Sequence, residues 1–509
     1  MRLKFREKYF RKLDSRTYLI AILLFALFLR IIFLSGINSS DDLNYMTISH
    51  EILEGKFESG SLHTLRILMI YPTVFFFWLL GISNFSAALW PLICSMGTII
   101  LIYKIGKLLF NERVGLLSAF LLSFFPLDVI YATRLAADVP VAFLMTVSVY
   151  LFLKARTVNR GYLYLFSSGI VLGLSYLVKE LGLLLFFFYF VYIIYEFISK
   201  RKINFNYSFI LLGFLLVFTI EGLYYYSSNG DFLLRYHAVS GIFSVPTDYW
   251  GKGIYPIDIL TFYPPAMLNL VDYYSGTPNT RIYGFFFYFI FLALIYSLII
   301  REKRSYALII WMLSLFLYLQ IGTRSLSEYL LFGKEYRYLI IIIVPALIIL
   351  ASFLLDKSKV IRKFLPISVI FLLSTSVYYG YFISEHLNYG SGECGCVRMS
   401  DIHKISDYIK TSNGTFFIDN TIYYYVLIDL NYNETRLRMV NSVKNESRVS
   451  GSFIVLNSSY IILNSCSGQG DTLPEFMCNP PKDWRLVEII AGKNNNTDRD
   501  YNPAIYYAP

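Results

Sequence analysis

The chain has 509 residues, of which 56% are hydrophobic and only 16% charged, whereas a soluble protein of this size carries roughly a quarter charged residues. A soluble globular protein is therefore excluded. The net charge of +10 does not indicate a nucleic-acid binder, because the basic residues fall in short clusters between long apolar runs, the pattern of a polytopic membrane protein.

The N-terminal segment 1–16, "MRLKFREKYFRKLDSR", carries seven Lys/Arg against two acids and reads as a basic cytoplasmic end. The apolar run that follows, Thr17 to Gly36, is too long for a signal-peptide core and lacks a small-residue cleavage site, so it reads as a spanning helix. Further basic clusters are Lys104, Lys107 and Arg113; Lys154, Arg156 and Arg160; "SKRK" at 199–202; "REKR" at 301–304; and "DKSKVIRK" at 356–363. Placing all of them inside gives a consistent map of eleven spans, near 17–36, 86–108, 113–131, 136–154, 162–179, 181–198, 207–226, 281–300, 305–322, 337–355 and 364–384. The N-terminus then lies inside and the C-terminus outside. The stretch 66–81, "RILMIYPTVFFFWLLG", would invert the Lys104 cluster if it crossed. It is expected to lie along the outer surface, with Tyr71 and Trp78 as interfacial anchors.

N-x-S/T sequons provide an independent check. Asn38 and Asn84 fall in the first outer loop, and Asn413, Asn433, Asn445, Asn457 and Asn495 fall after the last helix; Asn206, at a cytoplasmic helix start, is the one misplaced match. Cysteine usage agrees. Cys94 is alone in a helix, while Cys394, Cys396, Cys466 and Cys478 all lie in the tail. Their spacings fit a four-cysteine zinc site poorly and suit disulfides in an oxidising exterior. The tail, 385–509, mixes helix-like "DIHKISDYIK" with strand-like "GTFFID", "SYIILN" and "WRLVEII". The expected architecture is an all-α membrane domain over 17–384 followed by a small extracytoplasmic α/β domain.

With sidedness assigned, the outer loops form one chemical surface. The first, 37–85, opens with "SSDDLNY" and holds Asp41, Asp42 and Tyr45, then His63 and Arg66. The second is the short "TRLAAD", with Arg134 and Asp138; an acid at the lip of an apolar helix is costly unless it has a partner or a task. The third is the turn "LVKELG", presenting Lys179 and Glu180. The fourth, 227–280, contains His237, Asp248, Trp250, Asp258 and Asp272. The fifth contains Arg324, Glu328, Lys334 and Glu335 and leads to Arg337. Cations here lie on the wrong side for topology and suit an anionic partner such as a lipid phosphate. Arg30 is explained by snorkelling from a helix end.

The order of these pieces is itself informative. "LFLR" leads to the acidic pair, Tyr45 and "ISHEILEGKF"; then come "LLGIS", "YKIGKLLFNERVGLLSAFLLSFFP", "ATRLAADVP", "GIVLGLSYLVKELGLLL" and "KEYRYLIIIIVP". This series resembles the GT-C superfamily of polyprenyl-phosphate-sugar-dependent glycosyltransferases, in particular the protein O-mannosyltransferase and lipid A aminoarabinose transferase group. It does so most over 17–200 and more loosely to about 355. In that group an acidic pair in the first outer loop, usually Asp-Glu with a Tyr three positions on, supplies the catalytic carboxylate. The resemblance implies Asp41 in that role with Asp42 as companion, Asp138 as the second acidic site, and Lys179 and Arg337 at the lipid phosphate, with Lys334 and Arg134 as further candidate cations. "KEYRY" is similar to the KE-x-RF element of dolichol-linked mannosyltransferases, though Gly333 stands where they have His. Relatives often carry Lys-Pro or His-Pro-Pro before the surface helix where this chain has "HTLRILMIYP", so His63 and Arg66 are only site-lining candidates; His237, in "FLLRYHAVSG" of the fourth loop, reads first as a polar loop residue and only then as site-lining.

The implied reaction is sugar transfer, with inversion, from a polyprenyl- or dolichyl-phosphate donor to a glycan, lipid or protein acceptor at the outer face of the bilayer. The phosphate leaves as a stable anion and needs no general acid. The site needs a base or an orienting carboxylate for the acceptor hydroxyl, and positive charge for the phosphate, from Arg, Lys or a divalent metal. The competing class is a transporter or flippase, which would place charges mid-span or beside broken helices and repeats. An oligosaccharyltransferase catalytic subunit would carry a WWDYG signature, and "KDWRL" at 482–486 is no substitute.

Overall fold

The computed structural model describes residues 14–37, 41–56, 62–202, 204–243, 262–268, 282–323, 329, 332–356 and 359–388, and, further on, 399–413, 416–418, 420–430, 434–439, 451–457, 485–489 and 502–508. Among them, eight helices are long and apolar enough to cross a membrane: Ser15–Ile32, Asn84–Leu109, Asp138–Ala155, Gly161–Val178, Glu180–Lys200, Phe205–Asn229, Lys303–Ile321 and Tyr336–Leu354. The protein is a multi-pass membrane protein.

The helices that frame the rest are α1 (Ser15–Ile32), α2 (Asp41–Leu53), α3 (Ile67–Leu80), α4 (Asn84–Leu109), α5 (Glu112–Ser123), α6 (Pro126–Tyr131), α7 (Asp138–Ala155) and α8 (Gly161–Val178). After a 3-10 turn at Glu180–Leu184 come α9 (Leu185–Lys200), α10 (Ser208–Asn229), α11 (Leu234–Phe243), α12 (Tyr263–Met267), α13 (Phe286–Ile299) and α14 (Tyr306–Ile321). Another 3-10 turn, Tyr336–Leu339, opens α15 (Ile340–Leu354), and α16 (Lys359–Asn388) follows. Helix α15 is apolar on every face, and every residue from Ile340 to Ala351 is buried; such a helix belongs at the centre of a bundle. Helices α8 and α10 approach closely because Gly169 and Gly213 lie at their crossing, where a side chain would strike the Ile210 or Phe166 carbonyl. Small residues are the usual means of close packing where lipid removes the hydrophobic drive between helices.

Three expectations are corrected. The span expected over 113–131 is two helices, α5 and α6, broken at Phe124–Phe125. Pro126 opens α6 and holds Phe125 extended at ψ 119°, because proline disfavours a helical conformation in the residue before it. The second correction follows from the first. Arg30 does not snorkel: it is fully buried, donating to the Ser123 carbonyl at the end of α5 (3.0 Å), to Ser95 Oγ (2.9 Å) and to Asp128 of α6 (2.5 Å). Ser95 also donates to Asp128. The helix break exposes carbonyls that lipid cannot satisfy, and Arg30 fills that need. Third, the span expected at 281–300 is a helix of only 14 residues, and 364–384 falls within the longer α16.

Helix α3 corresponds to the expected surface segment. Its 14 residues extend about 21 Å, short of the roughly 30 Å hydrocarbon layer. Met69, Ile70, Thr73 and Phe77 are buried, while Tyr71 and Trp78 face outward.

Beyond α16 lie α17 (Met399–Thr411), β1 (Phe416–Ile418), α18 (Asn420–Asp429), β2 (Leu437–Met439), β3 (Gly451–Asn457), β4 (Arg485–Ile489) and β5 (Asn502–Ala508). They form a five-stranded mixed sheet in the order β2-β1-β3-β5-β4. β1 runs parallel to β2 and β3, and β5 antiparallel to β3 and β4. The membrane protein with a small α/β unit after its helices is therefore the observed architecture. The expected strand "SYIILN" and the cysteines 394, 396, 466 and 478 lie outside the described residues.

Breaking the Arg30–Asp128 pair leaves an uncompensated buried charge, which costs about 3–5 kcal/mol. Arg30→Ala and Asp128→Ala should each lower the melting temperature in detergent sharply.

Candidate active site

Asp41 and Asp42 occupy the first turn of α2, where carboxylates are favoured by the helix dipole. Adjacent residues on a helix point about 100° apart, and the two part company accordingly. Asp42 is fully buried and accepts from Arg134 Nε at 2.9 Å. Asp41 keeps 21% side-chain exposure: its Oδ1 meets His63 Nε2 at 3.2 Å and its Oδ2 meets Arg337 Nη2 at 3.3 Å.

The backbone brings the other loops to this point. Gly36, at φ 71°, lies alongside the 133–135 segment: its N–H donates to the Thr133 carbonyl (2.7 Å), and its carbonyl accepts from Leu135 N–H (3.0 Å). Ile37 N–H donates to the Asn84 side chain at 3.2 Å. Asp138 opens α7 and is 1% exposed. Its Oδ1 accepts from Lys179 Nζ at 2.7 Å, and its Oδ2 lies 3.8 Å from Arg337 Nε. Lys179, between α8 and the 3-10 turn, also lies 4.8 Å above the Tyr338 ring. His63, Asp41, Arg337, Asp138 and Lys179 thus form one continuous chain of ionisable groups drawn from four separate segments between the helices.

A second network backs the first. Arg66 donates to the Tyr45 hydroxyl and to Glu180 (3.0 Å). Glu180 also accepts from Arg235, which in turn pairs with Glu221 at 2.9 Å. Tyr225 donates to the Leu65 carbonyl at 3.2 Å, tying α10 to the turn before α3. Arg235 and Glu221 were not among the residues singled out from the sequence. The available signal was Glu221 itself, a carboxylate inside an apolar helix.

Several candidates are reassigned. Arg134 is held by Asp42 and stacks 5.2 Å from the Tyr131 ring, bracing the second-loop segment against α2. Lys334 donates to the Leu319 and Gln320 carbonyls (2.5 and 2.6 Å), capping the end of α14, where cations and carbonyls suit one another. Burial pushes its ammonium down to about 8. His237 is largely exposed and pairs with Asp231 at 2.8 Å, so it lies outside the charged chain; its neighbour Arg235 is the buried one. Tyr45, Arg66 and His63 do line the site. Arg324 and Glu328 lie outside the described residues.

Burial raises the pKa of the Asp41 carboxyl, but the His63 hydrogen bond and the charges of Arg337, Lys179 and Arg66 outweigh it and hold the group well below the usual carboxylate range. Burial lowers the pKa of the Lys179 ammonium, with Arg337 and Arg66 adding to that and Asp138 and Asp41 opposing it. Among the described residues no group of three or more His, Cys, Asp or Glu is placed to hold a metal ion. Lys179, Arg337 and Arg66 bring positive charge to this point.

Residues 67–225 match the family model for dolichyl-phosphate-mannose-protein mannosyltransferases. Among solved structures, ArnT from Cupriavidus metallidurans aligns at 12% identity with a TM-score of 0.58, over 97% of this chain and 98% of that one in the apo state. The chain has the GT-C glycosyltransferase fold. The undecaprenyl-phosphate-bound ArnT structure aligns equally well, over 96% of this chain and 98% of the other. The Archaeoglobus fulgidus oligosaccharyltransferase tethered to an acceptor peptide aligns at 14% identity, TM-score 0.54, over 85% of this chain and 64% of that one. No curated protein sequence matches. The family-model match and the fold bear out the resemblance to GT-C membrane glycosyltransferases, and nothing found supports a transporter.

The depressed Asp41 value has a sign that can be tested. A lowered folded pKa contributes stability that is complete above the unfolded value of about 3.9 and is lost as pH falls through the folded value. The melting-temperature gap between wild type and Asp41→Asn should therefore persist down to about pH 4 and close only in stronger acid.

Proposed function

We propose that this glycosyltransferase transfers a sugar, with inversion, from a polyprenyl- or dolichyl-phosphate donor to an acceptor hydroxyl at the outer face of the membrane. In this reading the N-terminus lies inside and residues 385–509 form an extracytoplasmic domain. The observation that carries it is the chain Asp41–Arg337–Asp138–Lys179, in which two cations held by two carboxylates stand at the mouth of an apolar bundle.

A phosphate-linked lipid entering there finds Lys179 and Arg337 as counter-ions, and both side chains exchange a carboxylate for phosphate at little cost in charge. As the anomeric carbon–oxygen bond breaks, negative charge grows on the departing phosphate. Preorganised cations in a water-poor site favour that charge more than they favour the ground state. Asp138, almost inaccessible, acts by holding Lys179 and Arg337 in place. Asp41 is the accessible carboxylate and serves the acceptor hydroxyl, while buried Asp42 fixes α2 to Arg134. Relatives with this fold have been captured with undecaprenyl phosphate, and in the archaeal oligosaccharyltransferase with dolichol-phosphate, which supports a lipid phosphate here. The sugar and the acceptor are to be read from assay.

The test is turnover of a panel of dolichyl- and undecaprenyl-phosphate hexoses and pentoses by purified protein. Asp41→Asn should lower kcat about 10²-fold or more, and Lys179→Ala should lower kcat/KM about 10²–10³-fold; full activity in Asp41→Asn overturns the assignment. Protease added to intact cells should release the 385–509 domain, and its protection would overturn the topology.

A further inference from the structure

The accessible part of the charged chain is not Asp41 alone. His63 retains 23% side-chain exposure beside the 21% of Asp41, against 1% for Asp138 and 6% for Lys179. Both oxygens of Asp41 already face donors, Oδ1 towards His63 Nε2 and Oδ2 towards Arg337. With His63 still on Oδ1 when Arg337 turns to phosphate, and with Lys179 and Arg66 also near it, this carboxylate is well suited to holding negative charge and poorly suited to accepting a proton. Against an ionised carboxylate the facing ring nitrogen carries hydrogen, so in the neutral imidazole the lone pair is left on the other nitrogen, Nδ1. The ring is further fixed edge-on to Tyr45, centroids 5.4 Å apart at 71°. Tyr45 is itself fully buried and held by Arg66.

We infer that His63 is the general base of the transfer, with Nδ1 receiving the acceptor's proton and Asp41 acting as the positioning residue that orients the ring and balances the imidazolium. The inference rests on the glycosyl-transfer reading above and identifies which group carries the proton. It uses the same division of labour as a carboxylate–histidine pair in nucleophilic catalysis. The acceptor O–H bond breaks and its proton goes to Nδ1, and the oxygen's electron pair forms the new bond to the anomeric carbon. The anomeric carbon–phosphate oxygen bond breaks with its electrons on the phosphate, which leaves as the lipid phosphate beside Lys179 and Arg337. The imidazolium then returns the proton to water through its exposed edge. The charged and titratable groups that bear on it are Asp41 and Tyr45 on α2, and, around Asp41, Arg66, Lys179 and Arg337.

The experiment uses the full-length protein with dolichyl-phosphate mannose, or the panel donor that turns over, and includes Asp41→Asn. His63→Gln keeps an N–H for Asp41 but cannot take up a proton. It should lower kcat about 10²-fold with KM little changed, and flatten the acidic limb of the pH–kcat/KM profile. His63→Ala should be similarly impaired and should regain at least about tenfold activity in added imidazole. If Asp41→Asn is inactive while His63→Gln keeps the wild-type kcat, the inference is wrong and the site reading stands. The inference is equally wrong if His63→Ala is not restored by imidazole and His63→Gln retains the acidic limb. If Asp41→Asn is fully active, the site reading falls and the inference with it.

Discussion

Charge at the end of an apolar bundle must be paired, and the arrangement of the segments around the candidate site follows from that constraint. An isolated ion taken from water into a low-dielectric interior costs several kcal/mol even after relaxation. The carboxylates Asp42, Asp138, Glu180 and Glu221 and the cations Arg66, Arg134, Lys179, Arg235 and Arg337 all sit against partners of opposite sign. The partners come from different loops, so satisfying each charge also fixes one loop relative to another. Asp42–Arg134 joins the first loop to the second, Asp138–Lys179 the second to the third, and Arg337 reaches back from the fifth. The site is a consequence of this mutual neutralisation. It also explains how a short turn such as "LVKELG" can carry two functional charges without a loop of its own.

Below the site the same physics operates with a different purpose. The Arg30–Asp128 pair lies at the break between α5 and α6, directly before the segment that carries Thr133, Arg134 and Asp138. A proline break deep in a bundle frees carbonyls, and the arginine that meets them also ties α1 to α4 and α6. The segment presenting Asp138 therefore rises from a rigid base.

Much of this could be read from the chain. The apolar runs and basic clusters placed the helices, and the ordered motifs singled out Asp41, Asp138, Lys179 and Arg337, which the structure brings together. What escaped was pairing. Arg30 looks like a snorkelling end residue because its partner is 98 positions away. Asp41 and Asp42 look equivalent because only helix geometry, and an arginine 92 positions on, turns one inward. The break at Pro126 was visible in "SFFP", but the continuous apolar character of 113–131 masked it. Lys334 resembled a phosphate ligand because a free sequence does not show which helix end lies beside it. Arg235 is not marked out by the sequence, because its burial against Glu180 and Glu221 is visible only in three dimensions.

The proposed chemistry depends on Lys179 and Arg337 exchanging their carboxylate partners for a lipid phosphate. A structure of the protein in nanodiscs with undecaprenyl or dolichyl phosphate would decide this. The phosphate should lie between these two side chains, with Asp41 and His63 left facing the open side. A phosphate bound elsewhere, with the Asp138–Lys179 and Asp41–Arg337 pairs undisturbed, would refute the exchange.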